Sequence, residues 1–454
     1  MHQETIVAIA TASGHGGIGI IRLSGPSARS IGETITAVTL TPRYAHFCRL
    51  RDSTGSVLDS GISLFFPAPN SFTGEDVVEL QAHGGPIILD LLLRETCKHG
   101  ARQALPGEFS QRAYLNNKID LAQAEAIADL INSTTEQAAL NASRSLQGVF
   151  SKKIELLIRH VTRLRVYVEA AIDFPEEEID FLQNSQVSQQ LHTISEQFEA
   201  VMGEAKQGAL VQEGMKLVIA GRPNAGKSSL LNALSGQDTA IVTAIEGTTR
   251  DVLRQHIQID GLPIHIVDTA GLRDSDDVIE QEGIRRARAE IDSADRILLV
   301  VDGSAHSDVS AVLSGLWQEE NSPLRRDIPV TIIKNKCDLT SDGPDIALAS
   351  NHTVINLSAK SGAGIDLLRT HLKTCMGYTE GGQGSFSARR RHLQSLEDAK
   401  NLFLNGQKQL LESGAGELLA EDLRLCQNSL GDITGAVSSD ELLGVIFSSF
   451  CIGK

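Results

Sequence analysis

Gly221-Arg222-Pro223-Asn224-Ala225-Gly226-Lys227-Ser228 follows an apolar, strand-like run at 216–220 and precedes a helix-like run at 229–234. In that setting a G-x-x-x-x-G-K-S loop cradles phosphates. Its glycines let backbone N–H groups approach the phosphates, and the helix N-terminus adds a positive dipole. Lys227 is expected to reach the β- and γ-phosphates, and the Ser228 hydroxyl is expected to bind Mg²⁺. The stretch therefore predicts a nucleotide-binding P-loop.

The other parts of a guanine-nucleotide switch follow in the order that such a domain requires. Thr249 is expected to complete the Mg²⁺ shell with Ser228, and Asp268 is expected to hold the ion through water. The backbone N–H of Gly271 is expected to sense the γ-phosphate. Strands of the buried type are predicted at 262–267, 297–301 and 330–333.

The motif Asn335-Lys336-Cys337-Asp338 predicts the base. The Asp338 carboxylate accepts hydrogen bonds, and guanine offers an N–H and an NH₂ on one edge, whereas adenine presents a ring acceptor there. Ser358-Ala359-Lys360 follows a strand-like run and is expected to close over the guanine. The sequence therefore predicts GTP binding by Asn224, Ala225, Gly226, Lys227, Ser228, Ser229, Thr243, Ala244, Ile245, Glu246, Gly247, Thr248, Thr249, Asp268, Thr269, Ala270, Gly271, Asn335, Lys336, Cys337, Asp338, Ser358, Ala359 and Lys360.

One residue departs from the pattern of Ras-like proteins, in which a glutamine after D-x-x-G orients the attacking water. Here that residue is Leu272, which forms no hydrogen bond with water. The stretch 274–282 is rich in carboxylates, and a carboxylate within reach can orient water or act as a base. The alternative for most of these groups is a set of solvated loop charges.

Composition bounds the class of protein. A globular chain of 454 residues is expected to form two to four domains. Its net charge of −16 argues against a chain that coats nucleic acid by itself, although a partner or one local patch can supply positive surface. Six cysteines without a C-x-x-C pair indicate reduced thiols in a cytoplasmic protein. No signal peptide or membrane span is expected.

The hydrophobic pattern divides the chain into an α+β segment at 1–118, a helical one at 119–213, an α/β one at 214–377 and a second helical one at 378–454. Since helical sequence lies on both sides of the α/β segment, we expect that segment to be inserted into one helical domain. The fold class is therefore multidomain α/β and α+β. A glycine-rich linker at 381–385 precedes the second helical part, and Ser438 with Glu441 predicts a capping box for its last helix.

In the first segment, strands are predicted at 5–10, 18–23, 62–66 and 77–81 and a helix at 86–96. The run at 14–19 matches G-x-G-x-x-G, but it leads into β-type sequence and is interpreted as a turn. Helical periodicity extends from 117 to about 172 and again over 182–201. The first helical stretch carries a basic stripe, for which a solvated face is favoured over an RNA site: Lys152, Lys153, Arg159, Arg163 and Arg165.

Taken together, these motifs resemble those of the tRNA-modification GTPase family MnmE, also called TrmE, along the whole chain. The resemblance lies in the residues at 18–25, 71–76, 83–86, 105–109 and 120–126 and in the ending Cys451-Ile452-Gly453-Lys454. It implies an N-terminal folate-binding and dimerisation domain, an all-helical domain and an inserted Ras-like P-loop G domain. It also implies that a tetrahydrofolate derivative binds at Arg22, Glu79, Lys118 and Lys454.

The resemblance further implies a reaction. Members of the family act with a flavoprotein, MnmG or GidA, which uses FAD and NADH. The pair installs an aminomethyl or carboxymethylaminomethyl group on the wobble uridine of certain tRNAs. Cys451 falls in the tail that approaches the folate, where a nucleophile and a packing residue are both open interpretations. The partners implied are a second copy of the chain, the flavoprotein in a heterotetramer, and tRNA.

In the G domain, the resemblance implies that K⁺ takes the place of an arginine finger. The K⁺ ligands implied are Asn224, Thr243, Ile245 and Thr248. Such a cation would offset charge that develops between the phosphates. The water-orienting glutamate of the family falls on Glu280, and Glu282 is the alternative.

Two other classes of protein compete with this interpretation. A ribosome-assembly switch usually carries a basic RNA-binding module, whereas this chain is acidic and its C-terminal part is helical. A membrane-acting GTPase needs a basic amphipathic anchor or a lipidation motif, and Cys451 lacks the aliphatic pair of a prenylation box.

Overall fold

The structure, a computed structural model, describes residues 4–173, 185–222, 224–236, 254–268, 294–304, 328–340, 342–349, 351–376, 386–436 and 440–453. The chain divides into two compact units. The first takes in Met1–Ala128, Ser145–Phe198 and Ser395–Lys454, and the second takes in Asp129–Arg144 and Glu199–Gln394. No helix within these described ranges is both long and apolar enough to cross a membrane.

The sheet of the first unit has the strand order β3-β4-β5-β2-β1-β6, and only the β1–β6 pair is parallel. Its strands are β1 (Ile6–Ile9), β2 (Gly16–Ser24), β3 (His46–Arg51), β4 (Val57–Phe66), β5 (Val77–Gly84) and β6 (Arg102–Gln103). Because side chains alternate along a strand, Ile21 and Leu23 enter the core with helices α1 (Ala28–Thr36) and α2 (Pro86–Lys98). Arg22 therefore belongs to the opposite face.

Outside the sheet and its two helices, the described part of the first unit is mainly helical. They include α3 (Glu108–Leu115), most of α4 (Leu121–Asn132), α6 (Val149–Asp173), most of α10 (Arg390–Ser413), α11 (Gly416–Thr434) and α12 (Asp440–Ser448). The long helix α6 buries a stripe with helical period and packs along α11: Phe150, Ile154, Leu157, Val161, Leu164 and Val168. Phe198 stacks near Phe403, with ring centroids 5.6 Å apart. The first unit thus joins sequence from both sides of the α/β segment.

The second unit is built on a seven-stranded sheet in the order β12-β13-β11-β10-β7-β9-β8. Its strands are β7 (Met215–Ala220), β8 (Arg254–Ile259), β9 (Leu262–Asp268), β10 (Arg296–Asp302), β11 (Val330–Asn335), β12 (Asp345–Ala349) and β13 (His352–Asn356). The five inner strands are parallel, and the two edge strands are antiparallel to their neighbours. Helices α8 (Lys227–Ser235) and α9 (Ile365–Cys375) contribute to the core of this unit.

Within the second unit, the end of one helix meets the start of another where the α/β segment begins and ends. Helix α7 (Ser185–Glu213) leads into β7, and α10 starts at Arg390. The Arg390 guanidinium lies 2.9 Å from the Glu213 carboxylate, and the Arg390 backbone N–H donates to the same carboxylate at 3.1 Å. Next to it, the Arg389 guanidinium lies 2.6 Å from the carboxylate of Asp129 in α4 and forms an ion pair with it.

The predicted fold class is confirmed, with the α/β segment between two helical parts. The glycine-rich run at 14–19 leads into no helix, so its rejection as a dinucleotide-binding loop is confirmed. The interpretation as a turn holds only for its start, because strand β2 already begins at Gly16. The helical stretch from 117 to 172 is three helices, because α5 (Glu136–Leu146) separates α4 from α6. The elements that were not predicted include helices α1 and α3 and strands β3, β6, β8 and β12. Residues 174–181 between the two predicted helical runs, the linker at 381–385 and the Ser438–Glu441 box lie outside the described residues and side chains.

Candidate functional site

The P-loop leaves the carboxyl end of β7, between β9 and β10, where ligands bind in open parallel sheets. Gly221 has a φ of +143°, and a Cβ there would lie 2.1 Å from the carbonyl oxygen of Val300 in β10. Only glycine allows the backbone to pass so close to the neighbouring strand. This approach directs the loop outward over the edge of the sheet.

Gly226 joins the loop to helix α8 and has a φ of +97°. A Cβ at this position would lie 2.1 Å from the Asn335 side-chain nitrogen. The Gly226 carbonyl accepts the first helical bond, from Leu230 N–H at 2.9 Å, and no side chain caps the helix start. The N–H groups of the first turn are therefore oriented toward an anion at the cradle.

Three predicted ligands lie on this loop and the first turn of α8. Lys227 Nζ donates to the carbonyls of Gly221 at 2.8 Å and Arg222 at 3.2 Å, which holds the amine over the loop. Ser228 and Asn224 are exposed, and Asn224 has a left-handed φ of +64°. Hydroxyl and amide oxygens at the mouth of a phosphate cradle suit hard cations. Ser228 and Asn224 therefore have the oxygen chemistry that Mg²⁺ and K⁺, the metals implied by the P-loop motif and by the family resemblance, would need.

Asn335, at the end of β11, ties the P-loop to the two base-recognition motifs. Its side chain is 3% exposed and donates from Nδ2 to the Ala225 carbonyl at 3.0 Å. Its Oδ1 accepts from Lys336 N–H at 2.8 Å and from Ala359 N–H at 3.0 Å. A buried amide with these bonds fixes three loops at once, because breaking any of them leaves a buried polar group unpaired.

Lys336 is held by a carboxylate that sequence reasoning missed. Its Nζ lies 2.6 Å from Asp302 Oδ2, and its own backbone has a φ of +71°. Hydrogen bonds from Lys336 and Ser304 lower the pKa of Asp302 to about 2. The stabilisation from this lowered pKa is complete above the usual Asp range and disappears as the pH falls through about 2. The available signal was an acidic residue at the carboxyl end of a buried strand.

Further hydrogen bonds hold the first base-recognition motif against the strand end before the second motif, and close the turn of the second motif. Cys337 N–H donates to the Leu357 carbonyl at 3.1 Å, and Ser361 N–H donates to Ser358 Oγ at 3.2 Å. Ser358 is buried, whereas Asp338 and Lys360 are exposed at the rim. Burial and the neighbouring Asp338 raise the pKa of Cys337, so its thiol stays protonated. The geometry presents an exposed carboxylate beside a closed turn, as guanine recognition requires.

Several predicted residues lie outside the described part of the chain: Thr243, Ala244, Ile245, Glu246, Gly247, Thr248, Thr249, Thr269, Ala270, Gly271, Leu272, Glu280 and Lys454. Asp268 ends β9, and its backbone is paired with Ile219 of β7. That register puts the end of β9 beside the start of the P-loop.

A second polar site lies on the sheet of the first unit. Arg22 of β2 and Glu79 of β5 are directly opposite across the strands, and both Nε and Nη2 of Arg22 lie 2.9 Å from Glu79 Oε1. The guanidinium also lies 5.9 Å from the ring centroids of Phe72 and Phe109. Two of the predicted folate residues therefore form one ion pair between aromatic rings.

Lys118 borders the same loop as this ion pair. Its Nζ donates to the Pro69 carbonyl at 3.0 Å, and Asn116 donates to the Thr73 carbonyl at 2.7 Å. The loop at 67–76 carries Phe72, so Arg22 and Lys118 both contact it. The structure thus gathers the described folate candidates around one loop.

A largely buried ion network also holds this loop, through Glu75. Arg112 is 1% exposed and donates to Glu75 and to Glu108, each at 3.0 Å. Burial raises the pKa of Glu108, but hydrogen bonds from Arg102, the Leu105 backbone and Arg112 outweigh it and leave the pKa lowered. These charges fix the position of the loop, because each would be costly to bury alone.

The C-terminal tail packs within the first unit, near β1. Gly107 N–H donates to the Cys451 carbonyl at 3.3 Å. Gly453 has a φ of +96°, and a Cβ there would lie 2.3 Å from the Ile9 carbonyl oxygen. Since Ala8 is the cross-strand neighbour of Arg22, the tail approaches the strand next to the ion pair. The Cys451 side chain is exposed.

The parallel sheet, the glycine cradle and the base-recognition turn define a P-loop protein of the guanine-nucleotide-binding class. The family described as "GTP-binding protein TrmE N-terminus" matches residues 5–118, and the one described as "MnmE helical domain" matches residues 121–451. The chain belongs to the MnmE family of tRNA modification GTPases.

Two relatives match along their whole length. The tRNA modification GTPase MnmE of Marinobacter nauticus is 59% identical over 453 residues, which covers 99% of each chain. That of Pseudomonas savastanoi pv. phaseolicola is 58% identical over 454 residues, covering 100% of this chain and 99% of the relative. A solved structure of Aquifex aeolicus Era bound to GDP·AlF4− is 25% identical and covers 41% of this chain and 66% of that one, with a TM-score of 0.26. So low a score supports no conclusion about this chain.

Proposed function

We propose that GTP hydrolysis by this chain drives modification of the wobble uridine of certain tRNAs. The chain acts with a flavoprotein of the MnmG or GidA type that uses FAD and NADH. The product carries an aminomethyl or carboxymethylaminomethyl group at carbon five of the base. The observation that supports this most strongly is that the same chain carries two polar sites. One is the nucleotide site, whose loops are held together by Asn335, and the other is the Arg22–Glu79 ion pair near the C-terminal tail.

At the nucleotide edge, the chain positions the phosphates and the base. The first turn of α8 and Lys227 bind the phosphates, while Asp338 accepts from the guanine edge. Mg²⁺ would be held by Ser228 and Thr249, and K⁺ by Asn224, Thr243, Ile245 and Thr248. When bound, these cations neutralise charge that develops on the transferring phosphoryl group. Glu280 orients the attacking water in place of the absent glutamine.

At the second site, the chain binds a tetrahydrofolate derivative as a one-carbon donor. A pterin presents an N–H and an NH₂ on one edge, which a carboxylate such as Glu79 accepts. Both contacts from Arg22 use Glu79 Oε1, and no hydrogen bond to Oε2 is found among the described residues. Phe72 offers a ring face beside the pair, and Lys118 and Lys454 suit the acidic tail of a folate.

The first unit also presents a surface for a second copy of the chain. Phe47 on the edge strand β3 is 79% exposed, and its cross-strand neighbour Ile62 and nearby Tyr44 are exposed as well. Exposed apolar groups that cluster on an edge strand favour association. We propose a homodimer, which binds the flavoprotein as a heterotetramer. The proposed domain limits remain 1–118, 119–213, 214–377 and 378–454.

Deleting residues 451–454 is expected to abolish wobble-uridine modification while GTP hydrolysis stays largely intact, because the tail packs near β1 and far in sequence from the nucleotide motifs. Wobble nucleosides from tRNA of a strain lacking the protein, complemented with each variant, would be measured by mass spectrometry. Cys451→Ser keeps the backbone contacts of the tail, so its loss of modification would indicate a nucleophile and its full activity a packing role. Unchanged nucleosides in the strain lacking the protein would contradict the proposed function.

Asp338→Asn is expected to lower GTP affinity by about 10–100-fold, the cost of a lost hydrogen bond to a charged group. It should raise affinity for xanthine nucleotides, whose ring carbonyl accepts from the new amide. Competition of GTP, XTP and ATP against a fluorescent GTP analogue would measure both effects. The nearby exposed Asp342→Asn removes the same charge and should change neither. Equal affinity of the wild type for ATP and GTP would refute the role of Asp338.

A further inference from the structure

Helix α6 presents a cationic face that the proposed site does not use. Of the five basic residues predicted as one stripe, three are exposed on this helix: Lys152, Arg159 and Arg163. Lys153 and Arg165 are half-buried, and Arg165 lies 3.4 Å from Glu169 in an ion pair. The stripe therefore divides, and the exposed part is a distinct surface.

Apolar side chains alternate with these cations along the helix. Leu156 is 41% exposed and Val166 is 55% exposed, each about one helical turn from an arginine. A groove of about 540 Å³ runs along this face, lined by Leu156, Arg159, His160, Thr162, Arg163 and Val166. His160 is oriented by a 2.8 Å hydrogen bond between its Nδ1 and Gln197 Oε1. We call this set of six residues the α6 groove.

No ion pair among the described residues neutralises the two arginines of the α6 groove. Arg159 and Arg163 are one turn apart, and like charges at this spacing destabilise a helix slightly. Neither forms an ion pair in the described part of the chain, and the same is true there of Glu155, the acid nearest to them on the helix. By contrast, exposed Arg424 on α11 is paired with Glu421 at 2.7 Å. The chain as a whole has a net charge of −16. Two neighbouring arginines without ion-pair partners among its described residues therefore favour an anionic partner.

We propose that the α6 groove is a docking surface for the tRNA substrate. This inference rests on the proposed function, which supplies an RNA as the polyanion. Arginine side chains contact phosphates and stack on unstacked bases of RNA loops, and Leu156 and Val166 give apolar contacts to sugars and bases. Two arginines, an imidazole and two exposed apolar side chains in one groove match that mixture.

The test is the affinity of the full-length protein for tRNA in the variant Arg159→Gln/Arg163→Gln. Losing two phosphate contacts is expected to weaken binding about tenfold at moderate salt and to reduce the slope of log K against log[salt] by about 1.5. Fluorescence anisotropy with a labelled unmodified tRNA, at several salt concentrations, measures both. Circular dichroism checks that α6 is intact, and GTP hydrolysis without tRNA should be unchanged.

A matched control removes two cations from other helices of the first unit, in Lys408→Gln/Arg424→Gln. Both residues are exposed, and each is already paired with an acid. This control should keep the affinity and slope of the wild type. If both double variants lose tRNA affinity equally, or if neither loses any, the α6 groove is not the tRNA-docking surface. Either result would leave the proposed function standing. Loss of flavoprotein binding with unchanged tRNA affinity would also overturn it, and absence of tRNA binding by the wild type would count against the proposed function itself.

Discussion

Gly226→Ala is expected to lower GTP affinity by about 10²–10⁴-fold. A side chain at a φ of +97° costs about 1–3 kcal/mol, and the new Cβ would lie 2.1 Å from the Asn335 amide. Displacing that amide breaks its bond to Ala225 and leaves a buried polar group unpaired, at about 1–3 kcal/mol more. Titration calorimetry with a GTP analogue would measure the loss.

The control for this variant is Gly343→Ala. Gly343 lacks a left-handed φ, and a Cβ there would have no heavy atom within 4 Å. The GTP affinity of the Gly343→Ala variant should match that of the wild type. If Gly226→Ala binds GTP within a few fold of the wild type, Asn335 does not hold the loop in the way described.

Glu280→Ala is expected to lower kcat for GTP by about 10²–10⁴-fold, the usual effect of a lost general base, with little change in GTP affinity. The reason is Leu272, which occupies the position where a glutamine would orient the water. Stopped-flow and steady-state assays in K⁺ would separate hydrolysis from binding. Wild-type turnover by the variant in K⁺ would make Glu282 the next residue to test.

The cation is tested by the same assays. Exchanging Na⁺ for K⁺ at constant ionic strength should raise turnover, because a K⁺ ion beside Asn224 offsets charge that an arginine finger would otherwise offset. Asn224→Ala should remove this response while GTP affinity stays near the wild-type value. A full K⁺ response in Asn224→Ala would place the cation elsewhere.

Local patterns predicted the long elements well. The P-loop motif predicts a strand before it and a helix after it, and these are β7 and α8. The buried apolar residues of α6 recur with the period of a helix. Helix α1 was missed because its apolar residues are few and are separated by Ser, Gly and Thr, which have weak helix propensity. Its two isoleucines, Ile31 and Ile35, pack on the sheet, and this tertiary contact outweighs propensity.

The site was predictable as motifs but not as contacts. Asn335 belongs to a recognisable motif, yet its bonds to Ala225 and Ala359 join residues 110 and 24 positions away. The Asp302–Lys336 pair arises from the adjacency of β10 and β11, which strand patterns alone do not specify. The aromatic rings beside Arg22 were missed for the same reason, since Phe72 and Phe109 reach it through tertiary structure.

The contact between Glu213 and Arg390 bears on the order of folding. These residues are 177 positions apart, and closing a flexible loop of that length costs about 4–5 kcal/mol in chain entropy. Once the second unit is folded, Glu213 and Arg390, at the two ends of the α/β segment, are already in contact. Helices on either side, such as those carrying Phe198 and Phe403, then pair as if linked by a short connection. Because such distant contacts otherwise form slowly, the second unit is expected to fold first and to accelerate assembly of the helical part.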